Sequence, residues 1–149
     1  MTAEENKAIV RRFFEECFNQ GNLAIADDLI AADYTNHMLD PDSPHGPKGE
    51  KAAVSGNRAV FPDLQFTIED MIAEGDRVVA RLTQRGTQQG EVNTPLGRIP
   101  PNDKHIAIDA IMIFRVAGGK LTESWGVFDA LSAMEQAGAI LAPKMAGEG

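Results

Sequence analysis

The hydrophobic pattern of the chain changes from a helical period to a strand period near Pro62. Before that point, apolar residues recur three and four positions apart, which predicts helices over residues 3–19, 23–31 and 47–60. The first helix opens with the capping-box spacing Thr2-Ala3-Glu4-Glu5. Its apolar face is rich in phenylalanine, so we expect this helix to pack against the core.

After Pro62, apolar and polar residues alternate, which predicts strands. The predicted strands cover residues 64–68, 77–89, 105–116 and 120–128, with a longer loop over 90–104 and a short helix over 129–138. Gly118-Gly119 is a hairpin turn signal. Helices followed by strands indicate an α+β fold, so we expect a curved antiparallel sheet with the helices on its concave side.

Length and composition indicate one domain of ordinary globular character. The 149 residues carry a net charge of −8, which argues against nucleic acid as a partner. The single cysteine, Cys17, excludes an intrachain disulfide, and no Cys/His spacing predicts a metal site. Without a signal peptide or membrane span in the sequence, we expect a cytoplasmic protein whose core covers about residues 5–140, followed by a flexible C-terminal tail.

Several stretches occur in an order that resembles one family. They are "IVRRFFEECFNQGN", "DYTNH", "HGPKG", "FPDLQFTIEDMIAEGDRVVARLTQRGT", "FRVAGGKLTESWGVFD" and "EQAGA". Together they are similar to the SnoaL-like polyketide cyclase (ester cyclase) family of the nuclear-transport-factor-2-like superfamily. The resemblance implies a cone-shaped sheet, or cystatin-like roll, that surrounds a deep apolar cavity. It also implies homodimers or larger homo-oligomers, and acid/base chemistry without a metal or an organic cofactor.

The resemblance also implies four site positions, of which this chain keeps one. The family's acid/base carboxylate falls on Gly126, and its two pocket histidines fall on Ser124 and Met112. The pocket asparagine matches Asn36. Because glycine cannot move a proton, the mechanism that the resemblance implies needs a different base here.

Three acids are candidates to replace that base, and each has a plainer alternative. Asp109 stands alone among apolar residues, where burial would raise its pKa, or it faces outward from the sheet. Glu123 lies on the strand after the Gly-Gly turn. Asp129 matches the family's trailing Asp, but it is also suited to cap the last helix.

The residues expected to bind substrate depend on the register of the last hairpin. A two-residue loop at Gly118-Gly119 pairs Met112 with Trp125, and a three-residue loop pairs Met112 with Ser124. A slip of one residue reverses which face each side chain occupies. Apolar matching favours Trp125 inside the cavity, whereas the family resemblance favours Ser124 and Gly126.

Two functions therefore stay open. The first is an enzyme that transfers a proton on a small apolar carbonyl compound, in the cyclase, isomerase or lyase class. The second is a protein that binds a small apolar ligand without catalysis. For either function the expected ligand-contacting residues are Asn36, His37, Met112, Ser124 and Trp125.

Overall fold

The computed structural model describes residues 1–94 and 97–138, which form four α-helices, a π-helical segment and seven strands. The helical elements are α1 (Ala3–Arg12), the π-helical segment Phe13–Asn19, α2 (Ile25–Leu29), α3 (Gly46–Val60) and α4 (Ala130–Gln136). The strands are β1 (Ile30–Asn36), β2 (Gln65–Glu74), β3 (Arg77–Thr87), β4 (Val92–Thr94), β5 (Gly97–Ile99), β6 (His105–Ala117) and β7 (Lys120–Phe128). The predicted tail lies outside the described residues.

The predicted α+β class and curved sheet are confirmed. Five strands form one sheet in the order β1-β7-β6-β3-β2, and β2, β3, β6 and β7 pair antiparallel in sequence. The edge strand β1 differs from the expectation, because it pairs parallel to β7. That strand begins at Ile30, which shortens the helix predicted over 23–31 to Ile25–Leu29.

Helices cover one face of the sheet, called here the inner face. Along β6, the even-numbered residues from Ile106 to Val116 are buried and contact the core, whereas the odd-numbered residues point to the opposite, outer face. Four aromatic rings near the end of the first helix and on the sheet pack edge to face or tilted: Phe13, Phe14, Phe66 and Phe114. This aromatic cluster fixes the first helix against the sheet.

Two local predictions about the ends of elements are confirmed. Thr2 Oγ1 accepts a hydrogen bond from the backbone N–H of Glu5, and Glu5 Oε1 accepts one from the Thr2 N–H, which completes the capping box. Gly118 and Gly119 both have positive φ and form the two-residue turn between β6 and β7.

The segment predicted as a long loop over 90–104 contains a small hairpin. Strands β4 and β5 pair antiparallel within it. The buried Gln88 side chain holds the segment, since its Nε2 donates to the carbonyl oxygens of Ile99 and Pro100 at 3.3 and 3.2 Å. Two residues of this predicted loop, 95 and 96, lie outside the described residues. Within the described part of the chain, no helix is both long and apolar enough to cross a membrane.

Candidate functional site

The register of the last hairpin is set by a bulge that neither predicted alternative contains. The two-residue turn pairs Val116 with Leu121, but beyond it Arg115 pairs with Glu123, so Thr122 is an extra residue on β7. Its hydroxyl donates to the Arg115 carbonyl oxygen at 3.3 Å. The bulge shifts the register by one residue, so Met112 pairs with Gly126.

This shift decides which residues of β7 face the helices. Ser124 pairs with Phe114 and Gly126 pairs with Met112, and both partners belong to the inner face. Ser124 is fully buried. The face assignment taken from the family resemblance is therefore the one that the structure has, and the assignment of Trp125 to the inner face by apolar matching is wrong.

Ser124 holds the hydroxyl of a buried tyrosine. Tyr34, on the neighbouring strand β1, is 1% exposed, and its hydroxyl oxygen lies 2.6 Å from Ser124 Oγ. Two residues further along β1, Asn36 is the register partner of Ser124. Parallel pairing of β1 with β7 thus brings Tyr34, Asn36 and Ser124 to one end of the inner face.

A buried carboxylate from α3 joins this group. Glu50 is 2% exposed, and its Oε2 accepts a hydrogen bond from Asn36 Nδ2 at 3.1 Å. The Asn36 side chain has a second role, because its Oδ1 accepts the backbone N–H of Met38 at 2.9 Å. The cluster Tyr34, Asn36, Glu50 and Ser124 is called here the inner polar cluster.

Burial changes the acidity of the groups in and near this cluster. Desolvation raises the pKa of Glu50 to about 6, and the hydrogen bond from Asn36 offsets part of that effect. Burial, and secondarily the Glu50 charge, raises the pKa of Tyr34 well above its ordinary range. The same two causes raise the pKa of the Cys17 thiol to about 11. Glu50 therefore lies close enough for its charge to raise the pKa of both groups.

None of the three acids proposed from the sequence faces the helices. Asp109 lies on the outer face of β6 and is exposed, which is the plainer of its two alternatives. Glu123 lies on the outer face of β7, where its carboxylate contacts His37 Nε2 at 2.7 Å and Arg115 Nη1 at 3.3 Å. Asp129 caps α4, accepting the Ser132 N–H at 3.0 Å. Each therefore has the surroundings of a surface or capping residue.

His37 and Trp125 also lie outside the inner polar cluster. Their rings stack at 5.2 Å with an interplanar angle of 9°, and the Arg77 guanidinium lies 5.1 Å from the centre of the Trp125 ring. The exposed His37 ring follows the end of β1. Of the five residues expected to contact substrate, Asn36, Met112 and Ser124 lie at the inner face, and His37 and Trp125 do not.

The residue missed by the sequence analysis is Glu50. One signal for it was present, because Glu50 stands one helical turn before Val54, on the stripe of α3 that faces the core. An acid on the buried stripe of a helix is costly without a partner. Among the described residues, no group of three or more His, Cys, Asp or Glu side chains could hold a metal ion.

Comparison with known proteins places the chain among cyclase-like proteins. The profile of the SnoaL-like polyketide cyclase family matches residues 8–137. Among solved structures, TsrD from Streptomyces laurentii shares 27% identity over 94% of this chain and 99% of its own, with a TM-score of 0.84. A Bacillus cereus protein shares 31% identity over 91% of this chain and 82% of its own, with a TM-score of 0.74. Its name describes it as a proposed polyketide cyclase.

A third similar structure is IdmH from Streptomyces antibioticus, also proposed by its name to be a polyketide cyclase. It shares 27% identity over 89% of this chain and 98% of its own, with a TM-score of 0.75. No protein of curated function matches the chain. With a family match over residues 8–137 and similar structures that cover about nine tenths of it, the chain belongs to the SnoaL-like polyketide cyclase family.

Proposed function

We propose that the protein is an acid/base enzyme, of the cyclase or isomerase class, that acts on a small apolar carbonyl compound with Glu50 as its base. Glu50 takes the place of the carboxylate that the family resemblance puts at Gly126. The observation that carries the proposal is the burial of an acid whose hydrogen-bond partner is the Asn36 amide and whose pKa is about 6.

The chemistry follows from this pKa. A carboxylate with a pKa of about 6 is ionised at neutral pH, yet it holds a proton more strongly than an exposed glutamate does. Glu50 would remove a proton from the carbon next to the carbonyl group. The C–H electron pair then becomes the new C=C bond, and the carbonyl π pair moves onto oxygen to give an enolate.

The rest of the inner polar cluster suits the charge that develops on that oxygen. The Tyr34 hydroxyl and the Asn36 amide are the donors close to Glu50. Either can donate a hydrogen bond to an enolate oxygen where little water competes. In an isomerase the protonated Glu50 returns the proton to another carbon. In a cyclase the enolate carbon attacks a second carbonyl group, whose π pair moves onto its oxygen, and that oxygen takes the proton from Glu50.

Exchange of carbon-bound hydrogen for deuterium tests the proposal without knowledge of the natural substrate. The protein is incubated in deuterated buffer with acetophenone derivatives and 1,3-diketones, and loss of the proton signal next to the carbonyl is followed by NMR. We expect the wild type to accelerate exchange and Glu50→Gln to abolish the acceleration. The matched control is Glu123→Gln on the outer face, which should exchange like the wild type.

A second function, ligand binding without catalysis, is favoured by one specific observation. Two methionine side chains occupy the space beside Gly126, where the resemblance implies an acid. A site lined in this way can enclose an apolar ligand without reacting with it. Binding of the same ketones with no acceleration of exchange in the wild type would favour this function over the enzyme.

We also propose that the protein forms a homodimer through the outer face of the sheet. A row of apolar side chains crosses four strands in register: Ile72, Val79, Ile113 and Trp125. Next to this row, Ile111 and Val127 are register partners and are 47% and 71% exposed. An exposed apolar area of this kind, on the sheet face opposite the helices, is typical of a contact with another subunit.

Sedimentation velocity at micromolar concentration tests the dimer. We expect a dimer for the wild type and a monomer for Val127→Arg, because a buried unpaired charge would disrupt an apolar interface. Ser55→Arg, which adds the same charge on an exposed helix position, is the control and should stay dimeric. A monomeric wild type would refute the proposal.

A further inference from the structure

The space around Gly126 leaves no room for a side chain, whereas its backbone conformation does not require glycine. Its φ is not in the positive range that favours glycine, so other residues could adopt this backbone. A Cβ atom built on Gly126, however, would lie 2.6 Å from Met38 Sδ and 2.9 Å from Met112 Cγ. The space of the side chain missing at this inner position is thus filled by two thioether side chains, one from β6 and one from the turn after β1.

The two methionines differ in how free they are to move. Met112 is buried on β6, the strand next to Gly126. Met38 follows the end of β1 and is 38% exposed, so its side chain reaches from solvent to the inner face. Methionine is unbranched and flexible, and half-exposed side chains change rotamer quickly. Met38 is therefore the part of this wall that can be displaced at low cost.

The backbone of Met38 is tied to the inner polar cluster. Its N–H donates to Asn36 Oδ1, and the same amide group donates to Glu50 Oε2. The preceding residue is fixed as well, because the His37 N–H donates to the Ser124 carbonyl oxygen at 2.9 Å. The backbone at Met38 thus keeps its position relative to Glu50 while its side chain can move.

We propose that Met38 determines which substrates fit, as a movable wall of the site above Gly126. A flat apolar ring displaces the Met38 thioether and lies beside Gly126 and Met112, while its carbonyl group reaches the inner polar cluster. Thioethers suit such a ring, because sulfur makes favourable contacts with aromatic groups. This inference rests on the proposed function for the place of the carbonyl group and adds the residue that selects substrates by the size of their ring.

The test measures binding of two ketones that differ in ring size, acetophenone and 2-acetylnaphthalene, by isothermal titration calorimetry. Met38→Ala enlarges the space above Gly126, so we expect the preference for the larger ketone to rise by about 10-fold or more, since one methylene group in an apolar pocket already changes such a preference by about 10-fold. Gly126→Ala fills that space and should shift the preference the other way. Met38→Leu should keep the wild-type preference. Met71→Ala, at the far edge of the sheet, is the matched control.

A second measurement needs no substitution in the site. In protein labelled with ¹³C at the methionine methyl groups, addition of 2-acetylnaphthalene should shift the Met38 and Met112 methyl resonances through the ring current of the naphthalene. The Met71 methyl resonance should not move. Unchanged Met38 and Met112 resonances, or an unchanged size preference in Met38→Ala, would overturn the inference.

The outcomes separate this inference from the proposed function. Because binding does not require proton transfer, the size preference is also measured in Glu50→Gln. If Met38→Ala changes the ratio of the two ketone affinities but the wild type does not accelerate hydrogen–deuterium exchange, the role of Met38 is supported and catalysis is refuted. If hydrogen–deuterium exchange depends on Glu50 but Met38→Ala leaves the ratio of the two ketone affinities unchanged, the proposed role of Met38 is refuted and the proposed function is not.

Discussion

The two faces of strand β7 differ more than their alternating sequence suggests. On the outer face, the Glu123 carboxylate contacts His37 Nε2 and Arg115 Nη1. On the inner face, β7 contributes no acid beside Leu121, Ser124 and Gly126. The acid there comes from helix α3, where Glu50 accepts a hydrogen bond from the Asn36 amide. The outer face thus carries more acidic side chains, which are exposed or in ion pairs, whereas the acid at the inner face is buried. Glu50 differs from the outer acids because it is buried and its hydrogen-bond partner is an amide.

The largest expected difference between the faces is in stability. Phe114→Ala removes a fully buried ring from the aromatic cluster and should lower the free energy of unfolding by about 3–5 kcal/mol. Asp109→Ala changes an exposed outer residue on the same strand and should stay within about 0.5 kcal/mol of the wild type. Urea denaturation measures both. A loss of several kcal/mol for Asp109→Ala would contradict the assignment of the faces.

Glu50→Gln should stabilise the protein at neutral pH. Because the folded state raises the pKa of Glu50 from 4.5 to about 6, folding favours the protonated acid. The contribution of Glu50 to the free energy of unfolding is most favourable below pH 4.5. It becomes less favourable as the pH rises to about 6 and is constant at higher pH. The cost at pH 7 is about 2 kcal/mol, and glutamine avoids it while still accepting a hydrogen bond from Asn36.

The measurement is urea denaturation of the wild type and Glu50→Gln at pH 4.5, 6 and 8. The difference in unfolding free energy between the two should grow in favour of Glu50→Gln from pH 4.5 to 6. Glu123→Gln is the outer control and should show no comparable gain. A Glu50→Gln variant that is less stable than the wild type at pH 8 would mean that the charged form of Glu50 stabilises the fold.

A smaller difference is expected between the coupling energies of a buried hydrogen bond and an exposed ion pair. Ser124→Ala leaves the buried Tyr34 hydroxyl without its partner and should cost about 1–3 kcal/mol. Adding Tyr34→Phe should recover part of that loss. The outer pair Asp70–Arg81, at 3.1 Å and more than half exposed, should show a coupling energy of at most about 1 kcal/mol. Double-mutant cycles measure both, and equal coupling energies would contradict the contrast between the faces.

The sequence predicted where the helices and strands lie better than it predicted which face of the sheet each residue of β7 occupies. The change of period near Pro62 and the glycine pair at 118–119 located the helices, the long strands and the turn, because these signals are local. The bulge at Thr122 is not local, since it depends on how β7 fits against β6 and β1 at once. One extra residue there moves Trp125 to the outer face and Ser124 to the inner face.

The candidate site was predicted in part for a similar reason. Asn36 was identified through the family resemblance, and it lies in the inner polar cluster. Asp109 was a candidate for a buried base because its sequence neighbours are apolar. On a strand, however, successive side chains alternate between two faces, and Asp109 lies on the outer one. Glu50 has polar and small neighbours in the sequence, and its burial appears only when the helical period is followed to Val54.

A pH titration of the Glu50 carboxyl carbon by ¹³C NMR is the most direct test of the central claim, that the inner face holds a buried acid ready for proton transfer. The protein is labelled at glutamate side chains, and Glu50→Gln identifies the resonance by its absence. We predict a midpoint at about pH 6, above the ordinary value of 4.5. A midpoint at or below 4.5 would contradict the claim and leave Glu50 as an ordinary hydrogen-bonded carboxylate.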